Sequence, residues 1–221
     1  MNNNIKLECV LIDNVDTNCY FLSDGKKAIL IDAGGDGTEL LEYAEKKNLN
    51  LSAILLTHGH FDHIMGLTAI NNKFPDVRIY AHINEKEVIE NIEYNFSNKK
   101  LDDSIINKIL YKNDRDIINE LGLEIKVLHT PGHTTGSCCY LIESMKVLFS
   151  GDTMFKKTFG RTDFPTGNLN QIIKSIAIDL MELDDDIEVF PGHMEKTNIA
   201  FERKNNSVVL HYNRDNKKKE I

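Results

Sequence analysis

The residues best suited to chemistry lie in one short segment, Thr57-His58-Gly59-His60-Phe61-Asp62-His63. His58 and His60 are two positions apart, so on the extended end of a strand both imidazoles point to the same side. Asp62 and His63 begin the next turn, where the reversal of the chain lets them face a second point nearby. Gly59 leaves room where the backbone must come close to these donors. Because a single metal would use three such groups, four converging donors predict two metals in one cleft.

Three further donors follow turns at the ends of predicted strands. His133 and His193 each follow a Pro-Gly pair, and Asp152 follows Gly151. In α/β proteins the ends of strands are where binding sites are built. Imidazole and carboxylate donors suit zinc, and iron and manganese accept the same ligands. The sequence therefore predicts two divalent metal ions, with zinc expected and iron or manganese as alternatives.

The elements that must position these donors alternate between strands and helices. Apolar runs at residues 27–32, 51–57 and 77–81 predict strands, and residues 38–47 and 64–73 have apolar positions at helical spacing. This order is typical of an α/β fold in which helices pack outside the sheets.

A second block repeats this order. Strands are predicted at residues 123–129, 137–143 and 146–150, followed by an amphipathic helix at 169–183. The two similar halves indicate a duplicated sandwich. The stretch between them, residues 83–118, is rich in Asn, Lys and Asp and is predicted to form surface helices or loops.

One domain is expected over residues 1–208, followed by a polar, frayed tail at 209–221. Acidic residues number 34 against 26 Lys and Arg, a net charge of −8, which argues against nucleic acid or an anionic membrane as a partner. The apolar runs are too short to span a bilayer, and the first ten residues lack a signal-peptide pattern. A cytoplasmic protein with reduced, buried cysteines is expected.

The motifs together resemble the metallo-β-lactamase superfamily and, within it, the glyoxalase II-like thioesterases. The resemblance rests on the histidine-rich segment and on five further motifs, which are Leu30-Ile31-Asp32-Ala33-Gly34, Thr130-Pro131-Gly132-His133-Thr134, Gly151-Asp152, Gly160-Arg161-Thr162-Asp163-Phe164-Pro165 and Pro191-Gly192-His193. It implies a four-layer αββα sandwich.

The resemblance also implies a role for each donor. The first metal would be held by His58, His60 and His133. The second would be held by Asp62, His63 and His193, with Asp152 bridging the two. Asp62 and Asp152 would thus belong to the catalytic centre, and Asp32 would orient a ligand histidine. Arg161 and Asp163 lie beside the site in this pattern, where they either pair with each other or meet the substrate.

The implied reaction is hydrolysis of a small acyl thioester by a metal-bound hydroxide. A thiolate leaves readily, so neither a strong general acid nor a Ser or Cys nucleophile is needed. An iron-dependent persulfide dioxygenase is the main alternative, and a lactone or β-lactam hydrolase is another. Glyoxalase II enzymes that use S-lactoylglutathione have a further C-terminal helical part with basic contacts. This chain stops soon after Arg203, which favours a smaller or different thiol carrier.

Overall fold

The computed structural model describes residues 5–219 and contains two six-stranded sheets. The strands of the first sheet are β1 (Lys6–Ile12), β2 (Thr17–Ser23), β3 (Lys27–Ile31), β4 (Asn50–Leu55), β5 (Arg78–His82) and β6 (Ile109–Lys112), adjacent in that order. The strands of the second sheet are β7 (Ile117–Glu120), β8 (Leu123–His129), β9 (Cys138–Ile142), β10 (Val147–Gly151), β13 (Glu188–Pro191) and β14 (Thr197–Asn198). Their order in space is β14-β13-β10-β9-β8-β7. A short antiparallel ribbon follows β10 and is formed by β11 (Met154–Phe155) and β12 (Thr158–Phe159).

The strand directions bring several strand ends to one edge. In the first sheet β1 to β3 are antiparallel, whereas β3 to β6 run parallel. In the second sheet β10 and β13 are parallel. The carboxyl ends of neighbouring parallel strands meet at the same edge, so the loops after β3 and β4 are neighbours, as are those after β10 and β13.

Three apolar cores separate four layers. Side chains on a strand alternate between its two faces, and β3 shows this directly. Leu30 packs into the core between the first sheet and its helices, while Ile29 and Ile31 pack into the core between the two sheets. A third core lies between the second sheet and its helices. This is the four-layer αββα sandwich that the sequence predicted.

The helices cover the outer faces of the sheets and connect their strands. Their bounds are α1 (Thr38–Lys46), α2 (Phe61–Ile64), α3 (Leu67–Lys73), α4 (Lys86–Glu90), α5 (Ile92–Asn95), α6 (Asp103–Ile106), α7 (Leu169–Lys174), α8 (Ile199–Asn205) and α9 (Ser207–Lys219). A π-helical segment, Ser175–Asp179, and a 3₁₀ turn, Leu180–Glu182, continue α7. The predicted amphipathic helix at 169–183 is therefore present with a change of pitch, and its stripe of Ile172, Ile176 and Leu180 is buried.

The stretch at residues 83–118 differs from its prediction. It contains α4, α5 and α6 as expected, but it also contains β6 and begins β7. Both strands have four residues and lie at the edges of their sheets. Edge strands are often short and carry polar residues, so their sequences lack the continuous apolar run of a central strand.

The expectation of a polar tail from residue 209 also needs correction. Residues of this region form α9, and Val208 and Val209 are buried in the third core, so the chain remains packed past residue 208. Residues 220 and 221 of the predicted tail lie outside the described part of the chain.

Cys9 is exposed, contrary to expectation, because β1 is an edge strand, whereas the other three cysteines are buried. Between residues 5 and 219, no helix is both long and apolar enough to cross a membrane.

Candidate metal centre

The histidine-rich segment lies directly after β4. His58 and His60 stand in the extended chain between β4 and α2, and both are buried. Asp62 and His63 belong to the single turn of α2, which begins at Phe61. The tight turn therefore carries the chain from one pair of donors to the other, as the spacing predicted.

The other three donors reach the same place from the second sheet. His133 follows β8, Asp152 follows β10, and His193 follows β13. Donor atoms of His58, His60 and His133 lie within 4.8 Å of one another, and we name these residues the first donor set. Donor atoms of Asp62, His63 and His193 do the same and form the second donor set.

Asp152 lies between the two donor sets. Its Oδ2 is 3.6 Å from His133 Nε2 and 3.5 Å from His193 Nε2, and its Oδ1 is 3.5 Å from His63 Nε2. The carboxylate thus faces histidines of both sets. The structure brings all seven predicted donors into one centre.

Hydrogen bonds fix which nitrogen most of these histidines present. His133 Nδ1 donates to the carbonyl of Arg161 at 2.8 Å, and His193 Nδ1 donates to the carbonyl of Asp16 at 2.7 Å. Because a neutral imidazole carries one proton, the Nε2 atoms of these two histidines are left as acceptors facing the centre. His60 is the exception, since its Nδ1 faces His133 Nε2 at 2.8 Å.

Asp32 organises the remaining two histidines, His63 directly and His58 through Thr57. Its Oδ2 lies 2.8 Å from His63 Nδ1 and accepts the Thr57 hydroxyl proton at 2.8 Å, while its Oδ1 accepts the Thr57 amide proton at 2.8 Å. The Thr57 hydroxyl has then used its proton, so at 3.1 Å it accepts from His58 Nδ1. Asp32 adopts a left-handed backbone conformation with φ 60°.

The donors fit metal ions. Three buried polar atoms, His58 Nε2, His60 Nε2 and Asp152 Oδ1, have no hydrogen-bond partner among the described residues. A buried polar atom without a partner costs free energy, and coordination of a cation by His58 Nε2 and Asp152 Oδ1 would remove that cost. Imidazoles with carboxylates suit zinc, iron or manganese, and the cluster fits a dinuclear site.

Burial and charge act in opposite directions on these groups. Burial and neighbouring histidines hold the pKa of His58 well below its usual value, and burial lowers the pKa of His60 to about 3. Burial also disfavours a proton on His63, but the carboxylates of Asp62, Asp32 and Asp152 outweigh it and raise the pKa of His63 to about 10. Protonation of His63 therefore competes with metal binding by the second donor set.

Arg161 and Asp163 contact the site less directly than the donors do. The two side chains pair with each other at 2.8 and 2.7 Å and are exposed. The carbonyl of Arg161, rather than its side chain, is what accepts from His133. Arg161 nonetheless lines a cleft of about 340 Å³ in front of the donors, so it is also placed to meet a bound molecule.

Sequence reasoning missed several supporting residues. Thr17 donates to Asp62 Oδ2 at 3.2 Å, and Asn18 donates through Nδ2 to the carbonyls of Pro191 and Met194 at 3.1 and 2.9 Å. These contacts tie the start of β2 to Asp62 and to the loop of His193, both of which belong to the second donor set. No local pattern marks them, because each partner lies tens to well over a hundred positions away.

Glu85 is another missed residue, and it corrects the role expected of Gly59. The Glu85 carboxylate is buried, accepts from the Gly59 amide at 2.8 Å and accepts from the Thr134 hydroxyl at 2.8 Å. It therefore joins the loop of His58 and His60 to the loop of His133. A methyl group on Gly59 would lie 2.8 Å from Ile89 Cγ1, so the glycine makes room for α4 rather than for the donors.

Comparisons with known proteins agree with this centre. Residues 12–193 match the model of the metallo-beta-lactamase superfamily. Hydroxyacylglutathione hydrolase GloC of Haemophilus influenzae is 33% identical over 207 residues, which cover 91% of this chain and 97% of that protein. The crystal structure of BLEG-1, a B3 metallo-beta-lactamase, is 31% identical with a TM-score of 0.82 and covers 92% of this chain and 99% of its own.

A further solved structure, TTHA1623 in a di-iron-bound form, has a TM-score of 0.77 at 26% identity and covers 90% of this chain and 98% of its own. The family match spans the strands and loops that carry all seven donors, from the end of β1 to His193. The family match covers most of the chain, and the four-layer sandwich with two donor sets at its edge agrees with it. The chain belongs to the metallo-beta-lactamase superfamily and is a metal-dependent hydrolase.

Proposed function

We propose that this chain is a cytoplasmic hydrolase of small acyl thioesters that uses two divalent metal ions, with zinc as the expected metal. The first donor set would hold one ion and the second donor set the other, with Asp152 between them. The observation that carries the proposal is the presence of two complete donor sets around one carboxylate. When bound, the metals supply a Lewis acid and lower the pKa of bound water toward neutrality.

The protein's own residues support hydrolysis without a covalent intermediate. The described lining of the cleft contains no serine, cysteine or lysine that could form an acyl-enzyme. Burial raises the pKa of Cys138 well above its usual value and raises that of Cys139 to about 11, so neither thiol is a ready nucleophile. Asp62 and Asp152 face the cleft with carboxylate oxygens that can accept a proton from an attacking water.

A thioester is the substrate class that this centre suits best. A thiolate leaves without protonation, whereas an alkoxide or amine needs an acid, and the cleft lining offers no lysine or tyrosine for that purpose among the described residues. The relative from Haemophilus influenzae is named as a hydroxyacylglutathione hydrolase, and this chain covers 97% of it. This match over nearly the whole relative supports a glutathione thioester as one candidate substrate.

Elemental analysis combined with a substrate panel tests the proposal. We expect two metal ions per chain, mainly zinc, and thiol release from an acyl thioester such as S-acetylglutathione. One iron per chain, with oxygen uptake on glutathione persulfide, would instead establish the dioxygenase. A β-lactam and a lactone belong in the panel because BLEG-1 is described as a metallo-beta-lactamase. Turnover of these compounds alone would contradict the thioesterase proposal.

Removal of one donor tests the need for both ions. In the Asp62→Ala variant the second donor set loses its carboxylate, so metal content should fall from two toward one and most hydrolysis should be lost. Asp103→Ala is a matched control, since Asp103 is exposed, pairs with Lys100 and does not line the cleft. Full turnover by the Asp62 variant with a single metal would show that the dinuclear mechanism is wrong.

A further inference from the structure

Two phenylalanines form one wall of the cleft. The ring centroids of Phe96 and Phe164 are 4.4 Å apart, and each lies 5.7 Å from the ring centroid of His60. The rings thus stand beside the first donor set, where the reacting part of a substrate must lie. We name Phe96 and Phe164 the aromatic wall.

The backbone holds Phe96 in an unfavourable conformation. Phe96 has φ 58°, in the left-handed region that a bulky side chain rarely occupies. The neighbouring Asn95 is 1% exposed and fixes this geometry. Its Nδ2 donates to the Ile89 carbonyl at 2.9 Å, and its Oδ1 accepts from the Ser97 amide at 2.9 Å. Strain of this kind persists where the surrounding structure enforces it, and it is concentrated at functional sites.

The strained residue is also an exposed hydrophobic one. In the folded protein 38% of the surface of Phe96 is exposed to solvent, so the protein does not gain the full free energy of burying the ring. Its position is therefore not explained by packing of the core. An apolar group bound in the cleft would cover the ring and recover that free energy.

The charged side chains that line the cleft also favour an apolar group beside the aromatic wall. Among the described residues that line it, Arg161 is the only lysine or arginine. Its guanidinium lies 3.6 Å from the centroid of the Phe164 ring and is paired with Asp163. This cation supports the aromatic wall, and its charge is already balanced. The described lining of the cleft therefore offers a substrate no unpaired side-chain cation.

The size of the cleft indicates which part of the thioester it holds. A volume of about 340 Å³ is at the small end for ligand pockets, so part of a long thioester would extend beyond the cleft. The acyl group is attached directly to the carbonyl carbon, so it must remain near the donors, whereas a long carrier can extend into solvent.

We propose that Phe96 and Phe164 form an acyl subsite that selects aromatic acyl groups over short aliphatic or hydroxylated ones. This inference rests on the proposed thioester hydrolysis. The planar face of an aromatic acyl group packs against the aromatic wall, in offset or edge-to-face contact. Asn95 is a positioning residue for this subsite because it holds Phe96 in the left-handed conformation.

The test compares two substrates that share one carrier. S-phenylacetylglutathione and S-acetylglutathione differ only in the acyl group, and their ratio of kcat/KM is measured for the zinc-loaded wild-type protein and its variants. We expect Phe96→Ala and Phe164→Ala each to lower the phenylacetyl-to-acetyl ratio by about tenfold. Phe74→Ala is the matched control, since this half-buried phenylalanine packs against the first core, and its ratio should equal that of the wild type.

A binding measurement separates this inference from the proposed function. Calorimetry compares sodium phenylacetate with sodium acetate on the same zinc-loaded proteins. We expect phenylacetate to bind the wild type at least about tenfold more tightly than acetate, and Phe96→Ala to remove that preference. If no thioester is cleaved but this preference is present, the proposed function fails and the subsite stands. Equal binding of the two acids, or an unchanged ratio in both alanine variants, would overturn the subsite.

Discussion

The buried carboxyl group of Glu85 offers a sharp test of how the two donor loops are joined. Glu85 accepts hydrogen bonds from Gly59 and Thr134, but burial opposes its ionisation and raises its pKa from 4.5 to about 7. Between these two pH values the folded protein holds a proton that the unfolded chain has released. The free energy of unfolding must therefore fall as the pH rises from about 4.5 through 7, and it does not recover above that range.

The size of the effect follows from the difference in pKa. One pKa unit corresponds to about 1.36 kcal/mol, so ionised Glu85 lowers the stability by about 3 kcal/mol in full. Most of this, about 2 to 3 kcal/mol, is lost between pH 5 and pH 8. The variant Glu85→Gln cannot ionise and resembles the protonated carboxyl in shape. The side-chain amide of this variant costs some stability where it faces the amide donor of Gly59, and this cost is the same at every pH.

Urea unfolding of both proteins at several pH values, under identical metal loading, measures this difference. The stability of the wild type relative to Glu85→Gln should fall by about 2 to 3 kcal/mol from pH 5 to pH 8, a shift of about 1 M in the midpoint. Contributions from other titrating groups cancel because both proteins contain them. Glu124→Gln, at an exposed position on β8, should show no such divergence. Parallel curves for wild type and Glu85→Gln would refute the buried, proton-holding role.

Three further predictions concern the metal centre. In Asp32→Asn, His63 loses a charged hydrogen-bond acceptor at Nδ1. The zinc affinity, measured against a competing chelator, should therefore fall about 10- to 100-fold. An unchanged affinity would exclude an orienting role for Asp32. In Gly192→Ala, the new methyl would lie 2.7 Å from His63 Cε1 and overlap with Asp152 Oδ1, so elemental analysis should find fewer than two metals per chain. Because the pKa of His63 is raised to about 10 in the protein without metal, zinc binding at pH 7.5 should release about one proton from it. This release is measured by calorimetry as a binding enthalpy that depends on the buffer. A binding enthalpy that is the same in every buffer would contradict the prediction.

Local sequence patterns predicted the central parts of the fold well. Apolar runs marked β3, β4, β9 and β10, because central strands are buried on both faces and leave continuous apolar sequence. The same reasoning failed for β6 and β7, whose edge positions tolerate polar residues. It also failed for the segment after residue 208, where Val208 and Val209 are too few to mark a packed helix in a polar sequence.

The candidate site divides in the same way. Donor residue types and their spacing at positions 58–63 indicated a metal cluster, because few other arrangements place so many imidazoles and carboxylates together. The supporting contacts were not visible in the sequence. Glu85 and Thr134 are 49 positions apart, and Asn18 and Met194 are 176 positions apart. Pairings of this length arise only when two sheets pack and bring their loops to one edge.

The sequence by itself thus determined which groups can bind metal, since coordination chemistry depends on residue type and close spacing. Tertiary structure alone decided how those groups are held. It placed Asp32 in contact with His63, raised the pKa of His63 and brought Phe96 to the lining of the cleft. The physical reason is that burial, electrostatic fields and backbone strain depend on every neighbour in space, whereas a sequence pattern records only neighbours along the chain.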